Sequence, residues 1–372
     1  MNLTKMPVVA AMLAAARMAC ADTAHFQPGQ LAVLQAGDGV VKQHLKQAPI
    51  FVDQFDPKTF NDAPSYQVAI PTNGAGSLFF NGHAATEGGL SRSADHKLLV
   101  FAGYGGVSLL EQAGTPSLLD IQRGFCTVDA SGGVKVLLYQ PDSSDDKMNP
   151  RGGVSDGENH FWGCGNAGAT LFLNPAASKT PVQFDAVPNT RAMKIINHTL
   201  YATLNGPDAV AAGTEPGIYE FTDAAGNPAS LPQPGTSKIS LVVPVSAPYV
   251  KIAGFDLSPD KTVAYVADVD GGIEKYVKSG QSWKLACNFA IPQNIPKADN
   301  HAAGCFAVAA DFSGPAPVIF ATTTEGYNGT VNSNRVVRIT DTNATAVVST
   351  VAQSPSDNIA FRGIDFTPEA GR

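Results

Sequence analysis

The chain of 372 residues is poor in charge: Lys, Arg, Asp and Glu together make up 15%. A helical bundle needs more than that for its outward faces. No Lys/Arg run exists that could follow a phosphate backbone, and the formal net charge is −7, so no nucleic-acid partner is expected. No later stretch approaches the roughly 20 apolar residues of a membrane-spanning helix, and no transmembrane segment is expected. Nor does any 3.6-residue period run beyond two turns after the N-terminus, which excludes long helices and coiled coils. Cysteine is scarce, with five residues whose spacing fits no zinc pattern.

Residues that interrupt regular structure are abundant instead, with 36 Gly and 26 Pro, while 44% hydrophobic residues suffice for a packed core. Short apolar or alternating runs lie between turn clusters: Leu31–Leu34, Leu98–Phe101, Val134–Tyr139, Leu171–Leu173, Thr199–Leu204, Val263–Ala267, Val318–Ala321 and Arg335–Ile339. Their length and composition predict strands. Turn sequences such as 129–133 (DASGG) and 223–227 (DAAGN) separate paired runs, as hairpins require. The chain is therefore expected to be all-β.

A repeat organises these strands. Gly254-Phe255-Asp256-Leu257-Ser258-Pro259-Asp260 precedes Val263–Ala267, and Gly363-Ile364-Asp365-Phe366-Thr367-Pro368 repeats it near the C-terminus. Further copies are Gly89–Asp95 and, more loosely, Gly153–Gly157, with weaker ones over Arg191–Leu204 and Cys305–Ala321. Each copy fits an inner strand, a tight turn and a second strand, the start of a propeller blade. The expected fold is a β-propeller of six four-stranded blades. A seventh blade hidden in Leu204–Val245 is the alternative, and a two-sheet sandwich is disfavoured because nothing marks a domain boundary. The last repeat has no chain after it to complete a blade. Leu31–Gln35, Phe51–Phe55 and Tyr66–Ile70 are expected to supply its other strands, so the ring closes by pairing the N- and C-terminal strands.

The N-terminus reads as an export signal: Lys5, the apolar run Pro7–Ala16 and the small-x-small site Ala19-Cys20-Ala21. Residues 1–21 are assigned to a signal peptide and 22–372 to a single propeller domain, placed outside the cytoplasm, secreted or periplasmic. Arg17 sits awkwardly in this reading, and a lipidated Cys20 is disfavoured because the residue three before it is Arg17 and not Leu. The remaining cysteines, Cys126, Cys164, Cys287 and Cys305, are even in number, as disulfides in an exported chain would be. Of three connectivities, Cys126–Cys164 and Cys287–Cys305 are expected, since each joins neighbouring repeats.

The segments Phe26–Gly39, Glu87–Asp95 and Phe361–Pro368 resemble those of a family of uncharacterised, secreted bacterial proteins of β-propeller type. The resemblance covers nearly the whole chain after residue 21 and implies export and ring closure. It carries no established reaction.

Two familiar motifs are set aside. Gly153–Gly157 satisfies G-x-S-x-G and Gly163–Gly168 satisfies G-x-G-x-x-G, yet neither precedes a predicted helix, which both chemistries need. The acidic turns Asp142–Asp146 and Asp268–Gly272 lack calcium-loop spacing, so no metal and no cofactor is expected. Repeat position is more informative, because residues entering the innermost strands gather around a propeller's channel. Here they are Glu87, Arg151, Arg191, Lys251, His301 and Arg362, with Tyr249 adjacent. Cations around one glutamate suit a carboxylate, sulfate or phosphate group, with arginines giving bidentate contacts. The expected role is binding an extracellular glycan or protein ligand at this mouth, as a monomer. A lyase or hydrolase acting on an acidic polysaccharide, with His301, Tyr249 and Glu87 as catalytic candidates and His83 and His160 nearby, is the alternative. A structural envelope protein is the second.

Overall fold

The computed structural model describes residues 25–40, 47–82, 86–106, 121–139, 149–165, 170–184, 189–206, 209, 213–228, 232–245, 250–293, 303–325, 334–342, 346–356 and 358–370. The expected signal segment, residues 1–21, lies outside them. Among the described residues every named element is a strand, and no helix is long and apolar enough to cross a membrane.

The strands form six antiparallel four-stranded blades around a ring. From the channel outwards, blade 1 is Ser91–Arg92, Leu98–Gly105, Gln122–Asp129 and Val134–Tyr139. Blade 2 is Gly152–Ser155, Phe161–Cys164, Thr170–Leu173 and Val182–Phe184. Blade 3 is Thr190–Ile196, Thr199–Leu204, Gly217–Thr222 and Lys238–Pro244. Blade 4 is Ile252–Leu257, Val263–Asp268, Gly272–Ser279 and Ser282–Phe289. Blade 5 is Cys305–Asp311, Val318–Thr323, Arg335–Thr340 and Val348–Gln353. The protein is a six-bladed β-propeller. The stretch Leu204–Val245, in which a seventh blade was conceivable, supplies the two outer strands of blade 3.

Blade 6 closes the ring. Its innermost strand, Ala360–Phe366, comes from the C-terminus and pairs with Leu31–Ala36 in the register Leu31↔Phe366 to Ala36↔Ala360; Ile50–Phe55 and Tyr66–Ala69 complete the blade. Without this exchange the last inner strand would stand alone with open edges.

Each interface between successive blades holds one apolar cluster. Phe80, Phe101 and Val128 of blade 1 and its approach meet Leu34, Ile50 and Val52 of blade 6. Equivalent clusters fill the interfaces of blades 1 and 2, 2 and 3, 3 and 4, 4 and 5, and 5 and 6. Alternate residues of each strand therefore face opposite neighbours, and both faces of a blade are apolar.

The repeated sequence has a local cause. In blade 4 the Ser258 hydroxyl donates to Asp260 Oδ1 at 2.6 Å and accepts from the Thr262 and Val263 N–H groups, while Lys261 takes a left-handed φ of 57°. Blade 1 repeats this with Ser93, Asp95 and Leu98, and His96 at a φ of 62°. The Ser-x-Asp element thus ties the tight turn between first and second strands. The repeat glycine has a separate role at the channel: a Cβ on Gly363 would collide with Leu90 N and Gly88 O, and one on Gly254 would lie 3.0 Å from Ala307 Cα.

The cysteines depart from expectation, since all four are free. Cys126 faces blade 6 and Cys164 faces blade 3, so the pleat turns them in opposite directions. Cys287 and Cys305 share the interface of blades 4 and 5, but one is on an outermost and the other on an innermost strand. Three strand spacings of about 4.8 Å separate such positions, well beyond disulfide reach. Burial pushes the thiols of Cys126 and Cys305 up, and that of Cys164 up to about 12, so these three are inert. Paired cysteines therefore lend no support to export.

Candidate functional site at the channel ends

Antiparallel blades give the ring two unlike ends. Inner strands begin at one, where the second strands also end and the third strands start; this is the loop end. They finish at the other, the turn end, where the connections to the second strands are 93–97, 156–160, 197–198, 258–262 and 312–317. Between them the channel narrows to a waist of small and apolar residues, among them Gly89, Gly153, Ala192, Gly254, Ala307 and Ile364, enclosing about 20 Å³.

The expected ring lies at the loop end, and the structure brings three of its members together. The inner edge of blade 1 is interrupted: Leu78–Asn81 and Ser91–Arg92 pair with opposite ends of Leu98–Gly105. Glu87 sits in the gap, 1% exposed. Its neighbours Gly88 and Gly89 touch Arg362 of blade 6 and Arg151 of blade 2, the Gly89 N–H donating to the Arg151 carbonyl at 2.7 Å. Both arginines are buried. Arg151 donates from Nη1 to the Thr190 carbonyl at 3.0 Å and to Asn189 Oδ1, and Arg362 lies over the Phe306 ring, 5.7 Å from its centroid.

Burial dominates the electrostatics of Glu87. It pushes the carboxyl up to about 8, against the Asn81 N–H, which donates to Oε2 at 2.8 Å, the adjacent Tyr104 and the charges of Arg362 and Arg151. Glu87 Oε1 receives no hydrogen bond from the described groups. The Tyr104 hydroxyl donates to Asn149 Oδ1 at 3.1 Å, and burial together with Glu87 holds this phenol in its neutral form. Arg123, also buried, stacks 5.7 Å from the Tyr104 centroid. Sequence reading missed Tyr104 and Arg123, which come from second and third strands and carry no repeat signature.

The other described members make different contacts. Lys251 is exposed and pairs with Asp270 at 2.8 Å. Arg191 is half-buried, and the Cys164 thiol approaches its carbonyl at 3.5 Å. Tyr249, His301 and His83 lie outside the described residues. His160 sits at the turn end, with Nδ1 2.5 Å from Asp156 Oδ2 and its ring stacked on Phe172.

A second charged group, not expected from sequence, occupies the turn end. Lys194 Nζ of blade 3 lies 3.3 Å from Asp256 Oδ2 of blade 4, 3.6 Å from Asp365 Oδ2 of blade 6 and 3.4 Å from the Val308 carbonyl of blade 5. Arg92 Nε of blade 1 is 3.3 Å from Asp365 Oδ1. Burial opposes the charge on Lys194, but Asp256 and Asp365 outweigh it and raise its pKa. For Asp365 burial is likewise outweighed by Lys194 and Arg92, and its pKa falls; for Asp256 burial wins over Lys194, aided by Asp365, and its pKa rises. A signal was present: Asp256 and Asp365 each stand two residues after the repeat glycine, and Lys194 stands two after Ala192, at the same place in blade 3.

No family model and no curated protein matches the chain. Among solved structures, a chain of a nidogen/laminin complex is 12% identical over 90% of this chain and 97% of its own, with a TM-score of 0.50. A periplasmic gluconolactonase of Pseudomonas aeruginosa is 13% identical over 87% and 83%, with a TM-score of 0.43. At such identities the likeness concerns the fold alone.

Proposed function

We propose that this propeller is an extracytoplasmic binding protein that takes an anionic group, such as the carboxylate of an acidic glycan, at the loop end of its channel. The observation that carries this reading is the buried juxtaposition of Glu87, Arg151 and Arg362 across blades 1, 2 and 6. With its pKa near 8, Glu87 is mostly protonated at neutral pH and does not cancel the arginine charges. Two guanidinium groups in a desolvated setting favour an incoming carboxylate or sulfate, and their planar forks favour bidentate contact. The protonated Glu87 carboxyl is also placed to donate from Oε1.

The test is titration of the full chain with oligogalacturonate, alginate oligosaccharides and sulfate. Arg151→Ala and Arg362→Ala should each weaken binding by about 1.5–3 kcal/mol, tenfold or more, and Lys at either position should restore it only in part. Unchanged affinity together with a lower melting temperature would assign the arginines to the scaffold. A lyase reading draws on the same residues, with Glu87 as a carboxyl acid poised near neutral pH; unsaturated, ultraviolet-absorbing products from these glycans would favour it.

A further inference from the structure

The turn end holds a pocket of about 350 Å³. That is in the lower part of the range for small-molecule sites, roughly 300–1,000 Å³. Its floor is the Lys194, Asp256 and Asp365 group, its rim includes Arg92, His96 and Asn197, and half-buried Phe312 and Phe366 contribute to its apolar wall.

The charge arrangement restricts the occupant. Lys194 Nζ faces the carboxylates of Asp256 and Asp365 and donates to the Val308 carbonyl. Asp365 Oδ1 takes the Phe366 N–H and lies against Arg92 Nε; its Oδ2 takes the Arg92 N–H and lies against Lys194. Two cations and two carboxylates thus offset one another. A charged ligand would have to break one of these pairs away from water, at a cost its own contact must exceed. Two polar functions are left over. Asp256 Oδ2 is filled by the Ala310 N–H and Lys194, but among the described residues Oδ1 accepts the Leu257 N–H alone. Arg92, its side chain 22% exposed, turns Nε to Asp365 and has Nη1 4.0 Å from the exposed Glu369 carboxylate, which leaves the Nη2 N–H groups of its fork. One acceptor and one donor fork, beside an apolar wall, match adjacent hydroxyls on a neutral ring.

We infer that the turn end is a second binding site, for a neutral polyhydroxylated ligand of monosaccharide size. One ligand hydroxyl donates to Asp256 Oδ1, a neighbouring oxygen accepts from Arg92, and the C–H face of the ring lies on the apolar wall. The site is separate from the loop end, with the narrow waist between them.

Calorimetric titration of the full chain with glucose, galactose and mannose, and with glucuronate as the anionic counterpart, tests this. Pro259→Trp fills the pocket mouth from an exposed position without altering a charge, and Asp256→Asn changes the acceptor without altering shape. At least one hexose should bind the parent chain, at least about tenfold more weakly to both variants, and unchanged to Arg151→Ala, which reports on the loop end. Pro259→Trp should keep the parent melting temperature. Failure of all three hexoses to bind would overturn the inference, as would affinities unmoved in the two pocket variants or glucuronate bound more tightly than the hexoses in a manner sensitive to Pro259→Trp. Loss of hexose binding in Arg151→Ala, with Pro259→Trp unaffected, would move the sugar to the loop end and overturn it as well.

Discussion

The two ends of the channel use the same six inner strands and reach opposite electrostatic solutions. At the turn end, Lys194 and Arg92 are matched by Asp256 and Asp365 at 3.3–3.6 Å. At the loop end, burial keeps Glu87 largely protonated beside Arg151 and Arg362. The difference follows from position along the strand. Asp256 and Asp365, two after the repeat glycine, converge with Lys194 at the same place in blade 3, whereas Arg362, one before it, and Arg151, two before it, flank Glu87. One end pairs its charges at short range, and the other holds an acid that burial pushes towards its neutral form.

The largest expected effect breaks the balanced end. Lys194→Met leaves Asp256 without its cation and Asp365 with Arg92 alone, which should cost roughly 3–5 kcal/mol of stability in denaturant unfolding. Adding Asp256→Leu should recover much of that loss, because the stranded carboxylate is removed. A single variant as stable as the parent would show that the turn-end pairs contribute nothing net.

A pH series sharpens the contrast at the other end. Because the folded-state pKa of Glu87 is raised, the folded protein retains a proton that the unfolded chain releases above its ordinary value of 4.5. The stabilising contribution is complete below that pH and is lost as pH rises towards about 8. Asp53, raised to about 7 by burial against its hydrogen bond from Gln67, acts in the same direction. The melting temperature of Glu87→Gln should therefore fall less steeply between these limits than that of the parent, with the residual slope owed to Asp53 and other groups. Parallel curves would mean that Glu87 titrates normally.

The smallest effect concerns Lys251, which was expected in the loop-end ring and instead forms an exposed pair with Asp270. Lys251→Ala should change stability by less than about 0.5 kcal/mol and leave anion affinity unmoved. A tenfold loss of binding would bring Lys251 back into the site.

Much of the fold was legible in the sequence because each blade is written locally. Ser258 and Asp260, or Ser93 and Asp95, tie a turn through bonds between near neighbours, so the motif repeats wherever the turn does. The incomplete last copy, Gly363–Pro368, implied closure by Leu31–Ala36 because a strand cannot stay unpaired. The site was legible only in part. Residues chosen as strand entries stood at unequal distances from the repeat glycine, and in a structure with a period of two such offsets point to different neighbours. Arg362, Glu87 and Arg151 met; Lys251 and Arg191 did not. Tyr104, beside Glu87, and Arg123, over the Tyr104 ring, come from other strands and had no pattern to reveal them.

By itself the sequence determined the class of the fold and the manner of closure and favoured six blades over seven, since these depend on short-range turn chemistry and on strand alternation. Tertiary structure decided which charged residues face one another and which protonation states they hold. Lys194 and Asp365 are far apart in the chain and contact each other only because the ring closes. Glu87 keeps its proton only because burial in the interrupted edge of blade 1 outweighs the charges of Arg362 and Arg151. Both depend on distance and desolvation, quantities that come into existence when blades from opposite ends of the chain are packed side by side.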